Sequence, residues 1–157
     1  MPRPARFYRP ATYFDEPSVG LLMKQVLGSI VWHADQRLGL HGLTSAQWGP
    51  LVHLNKQGPC TVLELARWMQ VDPAAMTRLL DRLEKKQLCT RERSTEDRRV
   101  VRVRITADGV AAIADVPAVL CEVMNAHLAG FSQAEWAGLK EHLQRMLDNG
   151  EALRTSP

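Results

Sequence analysis

The stretch TVLELARWMQVDPAAMTRLLDRLEK, residues 61–85, holds two helices and the short turn between them. The first helix opens on Thr61 and Glu64, a capping box in which hydroxyl and carboxylate each meet an amide that a helix start leaves unpaired. Leu65, Trp68 and Met69 then recur at helical spacing. The second helix opens on Asp72-Pro73, an acceptor side chain followed by proline in the one helical position where its missing N–H costs little. Met76, Leu79, Leu80 and Leu83 form the stripe to be buried, leaving Ala74, Ala75, Thr77, Arg78, Asp81, Arg82 and Lys85 on the other face. Only Gln70 and Val71 lie between the two helices. This is helix-turn-helix spacing, with the second helix as candidate reader of a DNA major groove.

The residues that follow strengthen this reading. Val101, Val103 and Ile105 alternate with Arg102 and Arg104, the period-two pattern of a strand with one buried face. Leu88–Arg93 is the candidate partner strand, and the polar Ser94-Thr95-Glu96-Asp97-Arg98 between them predicts a two-stranded hairpin with a basic tip.

Upstream, Thr44 and Gln47 form another capping box before Trp48, Leu51 and Val52, and Gly58-Pro59 closes that helix as a turn. Val19, Leu22, Val26, Ile30 and His33 recur every three or four residues, predicting a long helix from Pro17, in its first turn, to Leu40. Residues 1–16 carry Pro2, Pro4 and Pro10 among arginines and aromatics and are expected to form an extended arm. Downstream, a long helix is predicted from Gly109 to about Ala129 with a kink at Pro117. A last helix starts at the Ser132/Glu135 box and carries Trp136, Leu139, Leu143 and Met146.

The fold class read from this order is mainly α with a small two-stranded β-wing. A winged helix-turn-helix DNA-binding domain spans 43–106, and 17–42 with 107–150 form a helical dimerisation domain. The arm and a C-terminal tail at 151–157 flank them. Dimerisation is expected because the terminal helices carry apolar stripes that one small lobe cannot bury.

Composition is that of a soluble globular chain: 157 residues, 45% hydrophobic and 24% charged, enough to build a core without disulfides or metal. The net charge of +3 hides an uneven distribution, since 61–106 carries 11 basic residues against 7 acidic ones. A basic middle suits an anionic polymer as partner. Cys60, Cys89 and Cys121 are odd in number and show no metal-ligand spacing, which fits a reducing cytoplasm and no bound metal or cofactor. No run of 18 apolar residues occurs, so no membrane partner is expected. An enzyme would need a nucleophile beside a base, paired carboxylates, a metal cluster or a phosphate-cradling glycine loop, and none stands at usable spacing.

The chain resembles the MarR (multiple antibiotic resistance regulator) family of winged-helix repressors over roughly Val19 to Leu147. The carriers are Leu43-Thr44-Ser45-Ala46-Gln47-Trp48, Thr61-Val62-Leu63-Glu64-Leu65-Ala66 and Leu79-Leu80-Asp81-Arg82-Leu83-Glu84-Lys85-Lys86. The most specific piece is Asp97-Arg98-Arg99 followed by Val103-Arg104-Ile105-Thr106 and Gly109. The resemblance implies a homodimer whose first, fifth and sixth helices interlock, with recognition helices in successive major grooves and wings in flanking minor grooves. It also implies a pseudo-palindromic operator and, in many members, release by a small phenolic or aromatic-acid ligand.

Residue roles follow. Arg78, one turn into the recognition helix, could pair with guanine O6 and N7. Ala74, Ala75 and Thr77 share the exposed first turn at a helix N-terminus that favours phosphate, and Arg82 and Thr61 complete the helix-turn-helix contact set. By resemblance, Arg99 enters the minor groove with Asp97 orienting it, while Arg98 at the tip meets phosphate. His33, Arg37, Trp48 and His53 lie on helices that in the family wall the effector pocket. Related peroxide sensors keep a reactive cysteine in the first helix, and this chain has none before Cys60. A redox-responsive regulator and a winged-helix protein-interaction module are the alternative readings.

Overall fold

A computed structural model describes residues 5–39, 42–93 and 100–155. In chain order the elements are α1 (Val19–Leu38), α2 (Ser45–Gln57), β1 (Cys60–Thr61), α3 (Val62–Met69), α4 (Pro73–Lys85), β2 (Cys89–Arg93), β3 (Val101–Ile105), α5 (Ala107–Ala112), α6 (Val116–His127) and α7 (Gln133–Thr155).

Ser18, not Pro17, sets the start of α1: its hydroxyl accepts from the Leu21 amide at 3.2 Å, which leaves Pro17 one residue outside the helix. The arm is not wholly extended, because Pro10–Thr12 forms a 3-10 turn. The Tyr8 hydroxyl accepts from the Val19 amide at 2.9 Å, so the arm supplies a second partner for the unpaired start of α1. Along α1 none of the predicted stripe is fully buried: Val19, Leu22, Val26 and His33 are exposed and Ile30 is half-buried, while the residues that α1 does bury are Ala34 and Leu38. At the start of α2 the Thr44 amide donates to Gln47 Oε1 at 3.3 Å, and Asp35 of α1 receives both the amide and the hydroxyl of Ser45.

The sheet has three antiparallel strands in the order β1-β3-β2, one more than the predicted hairpin. Cys60 pairs with Val103 and Thr61 with Arg102, while β2 lies on the other side with Arg91 opposite Val103. Two residues are too few to carry a period-two signal, and β1 becomes a strand only because its partner, more than 40 positions away, is brought beside it.

Leu51, Leu54, Leu65, Met76, Leu80, Leu83 and Val103 form the centre of the core in the unit spanning residues 1–121. Each contributes roughly 1.5–3 kcal/mol by leaving water. Gly109 is needed there, because a Cβ on it would stand 2.1 Å from the Leu88 carbonyl oxygen. The long helix expected after Gly109 is broken, not kinked: α5 ends at Ala112 and α6 begins at Val116. Pro117 sits in the first turn of α6, where no partner for its nitrogen is required, and a continuous helix would drive its ring into the carbonyl of Ile113.

The second unit spans residues 122–157. Ser132 caps α7, its amide and hydroxyl donating to Glu135 at 2.8 and 2.7 Å. The helix runs through 151–155, so what was read as the start of a tail continues α7. Leu139, Met146, Leu147 and Leu153 of α7 are exposed.

Candidate nucleic-acid interface

Thr61 and Glu64 fix the start of α3 as the spacing predicts, the Thr61 amide and hydroxyl donating to Glu64 Oε2 at 2.7 and 2.9 Å. These two bonds hold the Glu64 carboxyl below its usual range. The helix ends at Gln70 in the left-handed conformation (φ 53°), and the Val71 amide donates back to the Ala66 carbonyl at 3.0 Å. The chain thus reverses within two residues and starts α4. Asp72 Oδ1 accepts from the amides of Ala74 and Ala75 at 2.9 and 3.1 Å, so the helix start is set by its own cap.

With Met76, Leu80 and Leu83 fully buried, helical geometry turns Ala74, Thr77, Arg78 and Arg82 outward, and all four are exposed. Ala75 is half-buried, as is Thr61. The Thr77 hydroxyl donates to the Pro73 carbonyl at 2.9 Å, and Arg82 Nε lies back on the Arg78 carbonyl at 3.3 Å. Thr77 therefore offers an outside partner its acceptor lone pairs, and Arg82 is held along the helix axis. Asp97, Arg98 and Arg99 lie outside the described residues.

The sequence reading missed Arg91. From β2 its Nη1 reaches Asp81 Oδ1 at 2.6 Å and Glu84 Oε2 at 2.9 Å, and its Nη2 reaches the Thr77 carbonyl at 3.0 Å. Its own amide donates to Glu84 Oε1 at 2.8 Å. Four bonds from one residue tie the wing strand to the recognition helix. The available signal was Asp81 and Glu84 three apart on one helix face, but only the sheet shows which arginine meets them.

His33 and Arg37 are exposed on α1, with the Trp32 and His33 rings edge-on at 4.7 Å. Trp48 is half-buried against the core, and its indole Nε1 is buried with no acceptor among the described residues. The His53 ring lies against Trp68 of α3, centroids 4.3 Å apart and planes tilted by 42°. Burial pushes the Cys89 thiol up to about 11, and it raises Cys60 as well, with Glu64 adding to the effect. Both are thereby poor thiolates at neutral pH. Among the described residues no three His, Cys, Asp or Glu side chains are grouped to hold a metal, and no helix is long and apolar enough to cross a membrane.

The MarR family model matches residues 43–101. The transcriptional repressor MdtR of Bacillus subtilis is 37% identical over 94 residues, a match covering 60% of this chain and 61% of that repressor. Bordetella bronchiseptica BpsR, solved in a study of how 6-hydroxynicotinic acid regulates its DNA binding, superposes with a TM-score of 0.77 at 27% identity, over 86% of this chain and 96% of BpsR. A mutant MarR from E. coli in complex with operator DNA gives a TM-score of 0.77 at 26% identity, over 82% of this chain and 93% of that one.

Proposed function

The chain belongs to the MarR family, and from that premise we propose that it is a sequence-specific regulator that binds double-stranded operator DNA as a homodimer and represses transcription. The observation that carries the reading is the outer face of α4, where Arg78 stands with Thr77 and Ala74 on a helix that Asp72 starts and Arg91 ties to the wing. An α-helix presenting an arginine and small side chains suits a major groove, and its N-terminal amides suit phosphate. Arg98 and Arg99 would extend the contact to backbone and minor groove, with Asp97 orienting Arg99.

Dimerisation is supported by the apolar side chains left in water on a single chain: Leu22, Val26 and Leu27 of α1, and Leu139, Met146 and Leu147 of α7. A two-fold dimer would read half-sites of a pseudo-palindrome whose centres lie about one helical turn, roughly 10 bp, apart. A small aromatic or phenolic ligand is the proposed releasing signal. The regulation of BpsR by an aromatic acid supports it, as does the buried Trp48 indole N–H that lacks an acceptor among the described residues. His33 and Arg37 of α1 would complete that effector site.

The test is a mobility-shift assay on the DNA upstream of the chain's own gene, with and without hydroxybenzoates and pyridine carboxylates. A specific complex that survives excess random DNA and is released by one acid is expected. Equal binding to both DNAs would sink the operator reading.

A further inference from the structure

The turn that ends α4 is held from two directions. The Leu88 amide donates to the Leu83 carbonyl at 3.0 Å and the Gln87 amide to the Glu84 carbonyl at 2.8 Å, with Leu83 and Leu88 both buried. The helix thus closes on itself and leaves the carbonyls of Gln87 and Leu88 to find partners outside it. Thr106 supplies both. Its hydroxyl donates to the Gln87 carbonyl at 2.7 Å and its amide to the Leu88 carbonyl at 3.2 Å, while the same hydroxyl accepts from the Gly109 amide at 3.0 Å and so starts α5.

On the other side Lys86 Nζ donates to the Gly42 carbonyl at 3.0 Å. Gly42 is in turn bound to the end of α1: its amide donates to the Gly39 carbonyl at 3.0 Å, and the amide of the buried Leu43 donates to the Leu38 carbonyl at 3.2 Å. The end of the recognition helix is therefore tied to the end of α1 and to the start of α5. Neither tie is needed to form α4, which has its own cap at Asp72 and its own buried stripe. We propose that Lys86 and Thr106 are positioning residues for operator binding, the α4–β2 turn being the joint through which α1 and α5 set the angle of the recognition helix. The proposal rests on the regulator reading. Arg78 and Lys86 stand about 12 Å apart along the helix, so a tilt of roughly 10° about the joint would carry Arg78 by about 2 Å, enough to break a hydrogen bond to a base. In a two-fold dimer the same tilt changes the separation of the two reading helices, which the half-site spacing of the operator registers.

Two measurements on the full chain test this, each on the unsubstituted protein, Lys86→Met, Thr106→Asp and Thr106→Ser. Aspartate keeps an acceptor for the start of α5 but cannot donate to Gln87; serine keeps both bonds. In the free protein, amide hydrogen exchange is followed residue by residue by NMR. Lys86→Met should speed exchange at Leu43, and Thr106→Asp at Leu88, by about fivefold or more, with Leu65 and Leu80 little changed. On DNA, the segment upstream of the chain's own gene is compared with versions lengthened or shortened by one base pair at the centre of the bound site. The unsubstituted chain and Thr106→Ser should disfavour the altered spacings by about tenfold, and Lys86→Met and Thr106→Asp should cut that ratio to about threefold or less. A lost charge or a smaller folded fraction weakens all spacings alike and leaves the ratio as it was, so the ratio separates positioning from phosphate contact and from folding. If Thr106→Asp fails to fold, Lys86→Met decides the matter. The proposal is overturned if the spacing ratio is the same in every folded variant, or if exchange at Leu43 and Leu88 does not respond. Should the unsubstituted chain itself form no specific complex, the operator reading fails and this proposal with it, whereas failure confined to the variants sinks the joint alone.

Discussion

Arg91 of β2 donates to Asp81 of α4 at 2.6 Å and so fixes the recognition helix to the strand that leads into the wing. Asp81 is about half exposed, so this bond alone adds little stability. Glu84, less exposed, and the Thr77 carbonyl make the contact a clamp. Arg91→Ala should therefore lower thermodynamic stability by only about 1–2 kcal/mol. Because it frees the angle between helix and wing, it should weaken operator binding at least tenfold. Denaturant melts and DNA titrations on one preparation compare the two losses, and equal, small effects would show that the clamp does not position the reading helix.

Under the proposed function Arg78 reads a base and Arg98 anchors phosphate, and substituting each tells the two roles apart. Arg78→Ala should cost about 1–3 kcal/mol at the operator and relax preference at one base pair, whereas Arg98→Ala should weaken all sequences alike and lower the salt slope. Binding to operator and to random DNA at several salt concentrations measures both. If Arg78→Ala loses equally on the two DNAs, it touches only phosphate.

Gly109→Ala should destabilise the fold by about 1–3 kcal/mol or more, because its Cβ would lie 2.1 Å from the Leu88 carbonyl oxygen and 2.7 Å from Ile105 Cγ1. The obstacle is backbone and cannot swing aside. Thermal melts of Gly109→Ala and of Gly138→Ala, whose Cβ meets nothing within 4 Å, provide the comparison. Similar melting temperatures for the two would contradict the close approach.

Gln87 closes the end of α4 with a positive φ of 60°, a conformation in which a side chain costs about 1–2 kcal/mol relative to glycine. Gln87→Gly should stabilise the protein by up to about 1 kcal/mol, since glycine also gains freedom in the unfolded chain. An unchanged or lowered urea midpoint would argue that the Gln87 side chain makes a compensating contact.

Burial raises the Cys89 thiol from 9.0 to about 11. The folded state thus holds its proton more tightly than the unfolded state. This contribution to stability is intact below pH 9 and is lost as pH rises from about 9 to 11, amounting to roughly 2–3 kcal/mol in all. Cys60, raised in the same direction, adds to the slope. Unfolding curves between pH 8 and 11 should show Cys89→Ala losing less stability than the unsubstituted chain across that window. Parallel curves would mean that Cys89 does not titrate with folding.

The helix starts were legible because caps act locally. Thr44 with Gln47, Thr61 with Glu64, Asp72 with Pro73 and Ser132 with Glu135 each satisfy amides within three or four positions, so residue type and spacing were enough. The outward face of α4 was legible for a related reason: burying Met76, Leu80 and Leu83 turns Arg78 away from the core. What the sequence could not carry were contacts between distant segments. Cys60 and Thr61 form a strand only because β3 arrives beside them. Arg91, one basic residue among several, acquires its role only when the sheet places it over Asp81 and Glu84. His53 faces Trp68 and Arg102 across a cleft no spacing predicts. Local hydrogen bonding and helical periodicity depend on neighbours in the chain, whereas strand pairing, ion-pair choice and clefts depend on which distant residues the buried core brings together.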